Sequence, residues 1–141
     1  MPKKELENFV KIGRLKREQA TRAEFGGLVK SARRRLADAR NEKLAPESRF
    51  DLAYNAVHGL ALAALRQHGY RSEHRYTVFQ ALTHTLGLSP AIARVFSKCH
   101  DARNLAEYQG HIEVDPQLLT ELLRYANDLE TAVLALDPPA K

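Results

Sequence analysis

The sequence predicts an all-α protein: an up-and-down bundle of four to five helices preceded by an N-terminal helical extension. Three observations carry this. Apolar residues recur at steps of three and four over most of the 141 positions. There is no sustained two-residue alternation and no Asn-Gly or Asp-Gly hairpin turn. Prolines and glycines stand where helices begin and end, with Pro46, Pro90 and Pro116 at first-turn positions and Gly69, Gly87 and Gly110 at stops.

Taken in order, Leu6, Phe9, Val10 and Ile12 to Leu15 predict a first helix. Phe25, Leu28, Val29, Ala32 and Leu36 predict a second, Arg-rich one, interrupted near its start by Gly26-Gly27. Both read as amphipathic and solvent-facing, and residues 1–45 are set apart as a basic extension from a bundle over 46–141. Pro46 opens a long third helix that ends before Gly69. Its run from Leu52 to Leu65 leaves almost no polar face, so neighbours or a second subunit must cover it. A fourth helix is expected around Ser72 to Leu86. Ser89-Pro90 then caps a fifth, which runs to about Gln109, and Asp115-Pro116 opens a last one that ends before Pro138-Pro139.

Composition narrows the class. With 44% hydrophobic and 28% charged residues, the chain suits one globular core. Cys99 is the single cysteine, which excludes an internal disulfide and a Cys-rich zinc site. No apolar run reaches the ~18 residues of a membrane span, and Met-Pro-Lys-Lys-Glu does not read as the start of a signal peptide, so a soluble cytoplasmic protein is expected. Charge is uneven: residues 1–43 hold 13 Lys/Arg against 6 acids, and residues 44–141 hold 9 against 11. That imbalance, with Arg33, Arg34 and Arg35 at its centre, suits a polyanion such as RNA, an acidic protein partner, or simply a solvated helical face.

On the fifth helix Ile92, Val95, Phe96, Cys99, Ala102 and Ala106 form an apolar stripe, and Arg103 projects from its middle. A guanidinium placed there needs partners, because it stays charged when desolvated. Asp51, Asn55 and His58 fall on one face of the third helix at steps of four and three, and are the expected partners of Arg103, Asn104 and His100. The six histidines make no His-Glu-x-x-His set, so neither a metal nor any other cofactor is predicted. Cys99 reads as a small buried hydrophobe rather than a nucleophile. Phosphate-cradling glycine motifs are absent.

The segment from Cys99 through Arg103-Asn104 to Tyr108-Gln109-Gly110, preceded by Ser48-Arg49-Phe50-Asp51-Leu52-Ala53-Tyr54-Asn55-Ala56, resembles the HEPN superfamily over about residues 46–137. The resemblance implies a four- or five-helix domain that forms a homodimer. Many such proteins are metal-independent endoribonucleases, occurring as toxins, in defence systems or beside nucleotidyltransferase partners. Their motif is Arg, often followed by Asn, with His after four to six intervening residues. Arg103 and Asn104 match it, but four intervening residues lead to Tyr108, and the next histidine, His111, follows seven. Neutral tyrosine is a poor general base near pH 7.

Three readings follow. The first is a non-catalytic or weakened HEPN-like dimer binding RNA or a protein through a cleft around Arg103, Asn104 and Tyr108, with Asp51, Asn55, His58 and Arg33 to Arg35 contributing. The second is an active endoribonuclease pairing Arg103 with His111 or His100. The third is a purely structural dimerisation module.

Overall fold

The computed structural model describes residues 3–110 and 113–140, and the chain is an all-α bundle. Its helices are α1 (Lys4–Lys11), α2 (Arg22–Ala39), α3 (Pro46–Gln67), α4 (Arg75–Gln80), α5 (Leu82–Thr85), α6 (Pro90–Gln109) and α7 (Pro116–Leu134). Among the described residues the only strands are β1 (Lys16–Arg17) and β2 (Tyr70–Arg71), paired antiparallel with Lys16 opposite Arg71 and Arg17 opposite Tyr70.

The predicted punctuation holds for α3, α6 and α7. Each begins on its proline, and the side chains of Ser89 and Asp115 accept hydrogen bonds from the N–H groups of Ala91 and Gln117. Gly69 and Gly110 take positive φ just past α3 and α6, a conformation that any side chain would strain. Elsewhere the structure departs from expectation. The first helix stops at Lys11, so Ile12 to Leu15 lie outside it, although Leu15 is buried. The second runs unbroken through Gly26-Gly27, because the Thr21 side chain caps Glu24 N–H and Phe25, Ala32, Leu36 and Ala39 are buried along one face. That burial outweighs about 1 kcal/mol of helix propensity lost per glycine. The expected fourth helix is two short ones, parted at Ala81, whose carbonyl accepts from both His84 and Thr85 N–H, the three-residue bond to His84 tightening the turn.

α3 is the axis. Eleven of its residues are buried, from Phe50 to Arg66, under α2, α7 and the α4–α6 side. α2 runs antiparallel to it: Glu24 meets Arg66, the Ala32 side chain lies beside Gly59, and the Ala39 carbonyl accepts from Arg49 Nε at 2.8 Å. Leu6, Leu15, Phe25, Ala32, Leu36 and Ala39 therefore belong to the same hydrophobic core as α3 and α7. Residues 3–45 take part in the bundle's packing and are not an appendage facing solvent on all sides. The apolar surface of α3 is covered by this chain's own α2, so it does not call for a second subunit. Among the described residues no helix is long and apolar enough to cross a membrane.

One buried cation locks this arrangement. Arg66, 4% exposed, donates to both carboxylate oxygens of Glu24 (2.9 and 3.1 Å) and to the carbonyls of Glu18, Gln19 and Tyr70. It ties the start of α2, the β1 end and β2 to the last turn of α3.

Candidate functional site

Positions 51, 54, 55 and 58 of α3 share a face at steps of three and four, as do 100, 103, 104 and 107 of α6. Where the faces meet, the Tyr54 ring is the centre. Its hydroxyl is 2.7 Å from His100 Nδ1, and the two rings lie nearly parallel. The Arg103 guanidinium carbon sits 5.3 Å from the ring centroid and that of Arg75, from α4, sits 5.5 Å away. Arg103 Nε is 3.4 Å from Asp51 Oδ1, and its Nη1 is 3.3 Å from Glu107 Oε1. Asn104 Nδ2 is 3.2 Å from His100 Nε2. Asn55 donates to the Asp51 carbonyl at 2.9 Å and accepts from Arg75 at 3.5 Å. Beyond Arg103 a groove of about 430 Å³ opens between the start of α3 and the end of α6, with Glu47, Asp51 and Glu107 on its walls.

The imidazole of His100 is engaged at both nitrogens: Nδ1 meets the Tyr54 hydroxyl and Nε2 meets the Asn104 amide. Burial raises the Tyr54 phenol above its ordinary value, against the opposing pull of Arg75 and Arg103. His58 packs edge-on against Phe79. Burial first, and then the charges of Arg75, His100 and Arg103, push it down to about 4, so it is a neutral imidazole near pH 7.

The structure thus brings Asp51, Asn55, His58, His100, Arg103 and Asn104 into one cluster. Tyr108 and Arg33 to Arg35 stand outside it. Tyr108 is 91% exposed, because five residues after Arg103 amount to about 140° around the helix. His111 lies outside the described residues. Arg33, Arg34 and Arg35 follow one another at about 100° steps and so point to different sides of α2. Arg33 is 3.6 Å from Glu130 of α7 and Arg35 donates to Ser31 of its own helix, while Arg34 is exposed. Arg103 meets its expected partner Asp51, together with Glu107 and the Tyr54 ring, within its own chain and is 28% exposed at the side chain. Buried Cys99, its thiol pushed up to about 12 mainly by desolvation, is no nucleophile.

Sequence reasoning missed two members. Tyr54 counted as apolar, although it sits three residues from Asp51 and four from His58 and its hydroxyl needed a partner. Arg75 is 20 residues from Asn55 on another helix, and no spacing rule links them.

Among the described residues no three His, Cys, Asp or Glu side chains come close enough to share a metal ion. Compared with family models, curated proteins and solved structures, the chain matches none. The chemistry of the site therefore rests on its own geometry: two partly exposed guanidiniums over a buried aromatic ring, one of them paired with Asp51 and Glu107, together with the Asn55, Asn104 and histidine side chains.

Proposed function

We propose that the chain is a HEPN-like helical module that binds single-stranded RNA at the α3–α6 cleft without cleaving it at a significant rate. The observation that carries this is the cation-flanked Tyr54 ring. The residues that bear the resemblance, Asp51, Tyr54 and Asn55 on one helix and His100, Arg103 and Asn104 on the other, converge around it. Guanidiniums contact phosphate, and the basic surface of residues 1–43 raises the local concentration of a polyanion.

The state of His100 favours binding over cleavage. A general base must reach the ribose 2′-hydroxyl, yet Nδ1 is directed at Tyr54 and Nε2 at Asn104. Losing that role costs about 10²–10⁴ in rate. The exposed Leu105 and Tyr108, on the outer side of the last turns of α6, offer an apolar face for the second copy of a HEPN-like homodimer.

The test is incubation of the full chain with 5′-labelled single-stranded RNA in EDTA, followed by anisotropy and by denaturing gel. Wild type binds, Arg103→Ala binds about fivefold more weakly, and neither cleaves above buffer background. Cleavage by wild type that disappears in Arg103→Ala and His100→Ala installs the nuclease reading instead. Absence of binding removes the proposal.

A further inference from the structure

The two guanidiniums on Tyr54 are in unequal states. Arg103 is shared with two carboxylates of its own chain, Asp51 at 3.4 Å and Glu107 at 3.3 Å, so its charge is partly answered while some of its donors stay free. Arg75 differs. Among the described residues it forms no salt bridge, and its polar partners are neutral: the Asn55 oxygen at 3.5 Å and the Tyr54 side chain. It is nevertheless half-buried and lies on the face of Tyr54. A half-buried cation without an anion is one half of an ion pair, since desolvation is offset only when a counter-charge arrives.

The surroundings suit that arrival. The ring beneath Arg75 restrains the guanidinium by a cation–π contact, which lowers the ordering cost of a bidentate contact. The amide of Asn55 is held by its bond to the Asp51 carbonyl. His58 makes no side-chain hydrogen bond among the described residues, and as a neutral imidazole it has an N–H to donate. Asp51, the carboxylate on this face of α3, is engaged by Arg103.

We propose that Arg75, braced on the buried Tyr54 ring, forms with Asn55 and His58 an oxyanion site that takes a phosphodiester of single-stranded RNA, with Arg75 and not Arg103 as the principal phosphate contact. The macromolecular part rests on the RNA-binding reading above; the anion site itself does not. A guanidinium forks two parallel N–H bonds onto two phosphate oxygens, whereas an ammonium offers a point charge.

Two probes separate the claims, both on the full chain. Inorganic phosphate is titrated while the arginine Nε–Hε resonances are followed by NMR, and the Arg75 resonance is expected to move and saturate in wild type and in Arg103→Gln. Fluorescein-labelled oligouridylate is titrated by anisotropy, where Arg75→Gln weakens binding about twentyfold and Arg103→Gln about fivefold. Arg75→Lys keeps the charge and loses the fork, so it binds about threefold or more weakly than wild type; it decides the question if the glutamine variant does not fold. Saturable phosphate shifts at Arg75 with no oligouridylate binding leave the anion site standing and remove the RNA reading. Oligouridylate binding that neither Arg75 variant weakens overturns the assignment of Arg75, as does a wild-type Arg75 resonance that phosphate does not move.

Discussion

Arg66, in the last turn of α3, and Arg103, which reaches the first half of the same helix from α6, both meet carboxylates, but in different ways. Arg66 is 4% exposed and donates to Glu24 and three backbone carbonyls at 2.8–3.2 Å. Arg103 is 28% exposed, and its two carboxylate contacts are long, at 3.3 and 3.4 Å. A guanidinium whose donors are all matched inside the fold holds the fold together and has nothing left for a ligand. One held loosely, beside an unpaired neighbour such as Arg75, retains donors for an incoming anion. The two ends of α3 thus differ in how much of an arginine's hydrogen-bonding capacity the fold itself uses.

The largest expected effect comes from removing every partner of Arg66 except the Tyr70 carbonyl at once. A chain beginning at Pro46 lacks Glu18, Gln19 and Glu24 and uncovers the α3 face under Ala32 and Leu36, so it should lose cooperative thermal unfolding by circular dichroism. A sharp melting transition near that of the full chain would mean that the Arg66 end is not the lock described. Next, Arg66→Ala should cost about 3 kcal/mol, at the low end for a broken buried pair because Glu18 and Glu24 remain partly hydrated. That corresponds to a melting temperature lower by roughly 10 °C, and to faster labelling of buried Cys99 by a thiol reagent. Arg103→Ala should stay within about 1 kcal/mol of wild type. Equal losses for the two variants would erase the contrast.

Acid acts on the same end of α3. Arg17 and the Tyr70 hydroxyl both donate to Glu7, holding its carboxyl down to about 2. Arg66 lowers Glu24 in the same sense. Because these folded-state values lie below the ordinary 4.5, the stability they contribute is complete above about pH 4.5 and is lost as pH falls towards 2. Between those limits Glu7→Gln should show a flatter decline in melting temperature than wild type; parallel declines would remove Glu7 from the account. The smallest effect expected is a gain. Gly26 and Gly27 sit in helical backbone with no atom within 4 Å of an added Cβ, so alanine at either should stabilise by about 0.5–1 kcal/mol. A loss would show that the glycines serve a contact the helix does not reveal.

Much of this contrast could be read in the sequence, though unevenly. Helix boundaries were legible wherever a proline and a glycine bracketed them, as for α3 and α6, because those residues act through local backbone geometry. The Asp51–Arg103 pairing was legible because helical steps place the two on facing stripes, whereas Asn55 and His58 meet Arg75 and Phe79 instead of Asn104 and His100. Arg66 looked like an ordinary basic residue at a helix end; its partners, Glu18 to Glu24, are more than 40 positions away, and only packing unites them. The same holds for Arg75, and for α2, whose charged surface hid how much of it is buried against α3. Tyr108 was drawn into the cleft by motif spacing, whereas the helix turns it outward.

The most direct test of the recognition half is the salt dependence of single-stranded RNA affinity. Log Kd is measured against log salt for wild type and for the double variant Arg75→Gln/Arg103→Ala. Each phosphate contact contributes about 0.7 to the slope, so the double variant should be shallower by about 1.4. An unchanged slope would place the phosphate contacts elsewhere on the protein and contradict the assignment of the Tyr54 cluster.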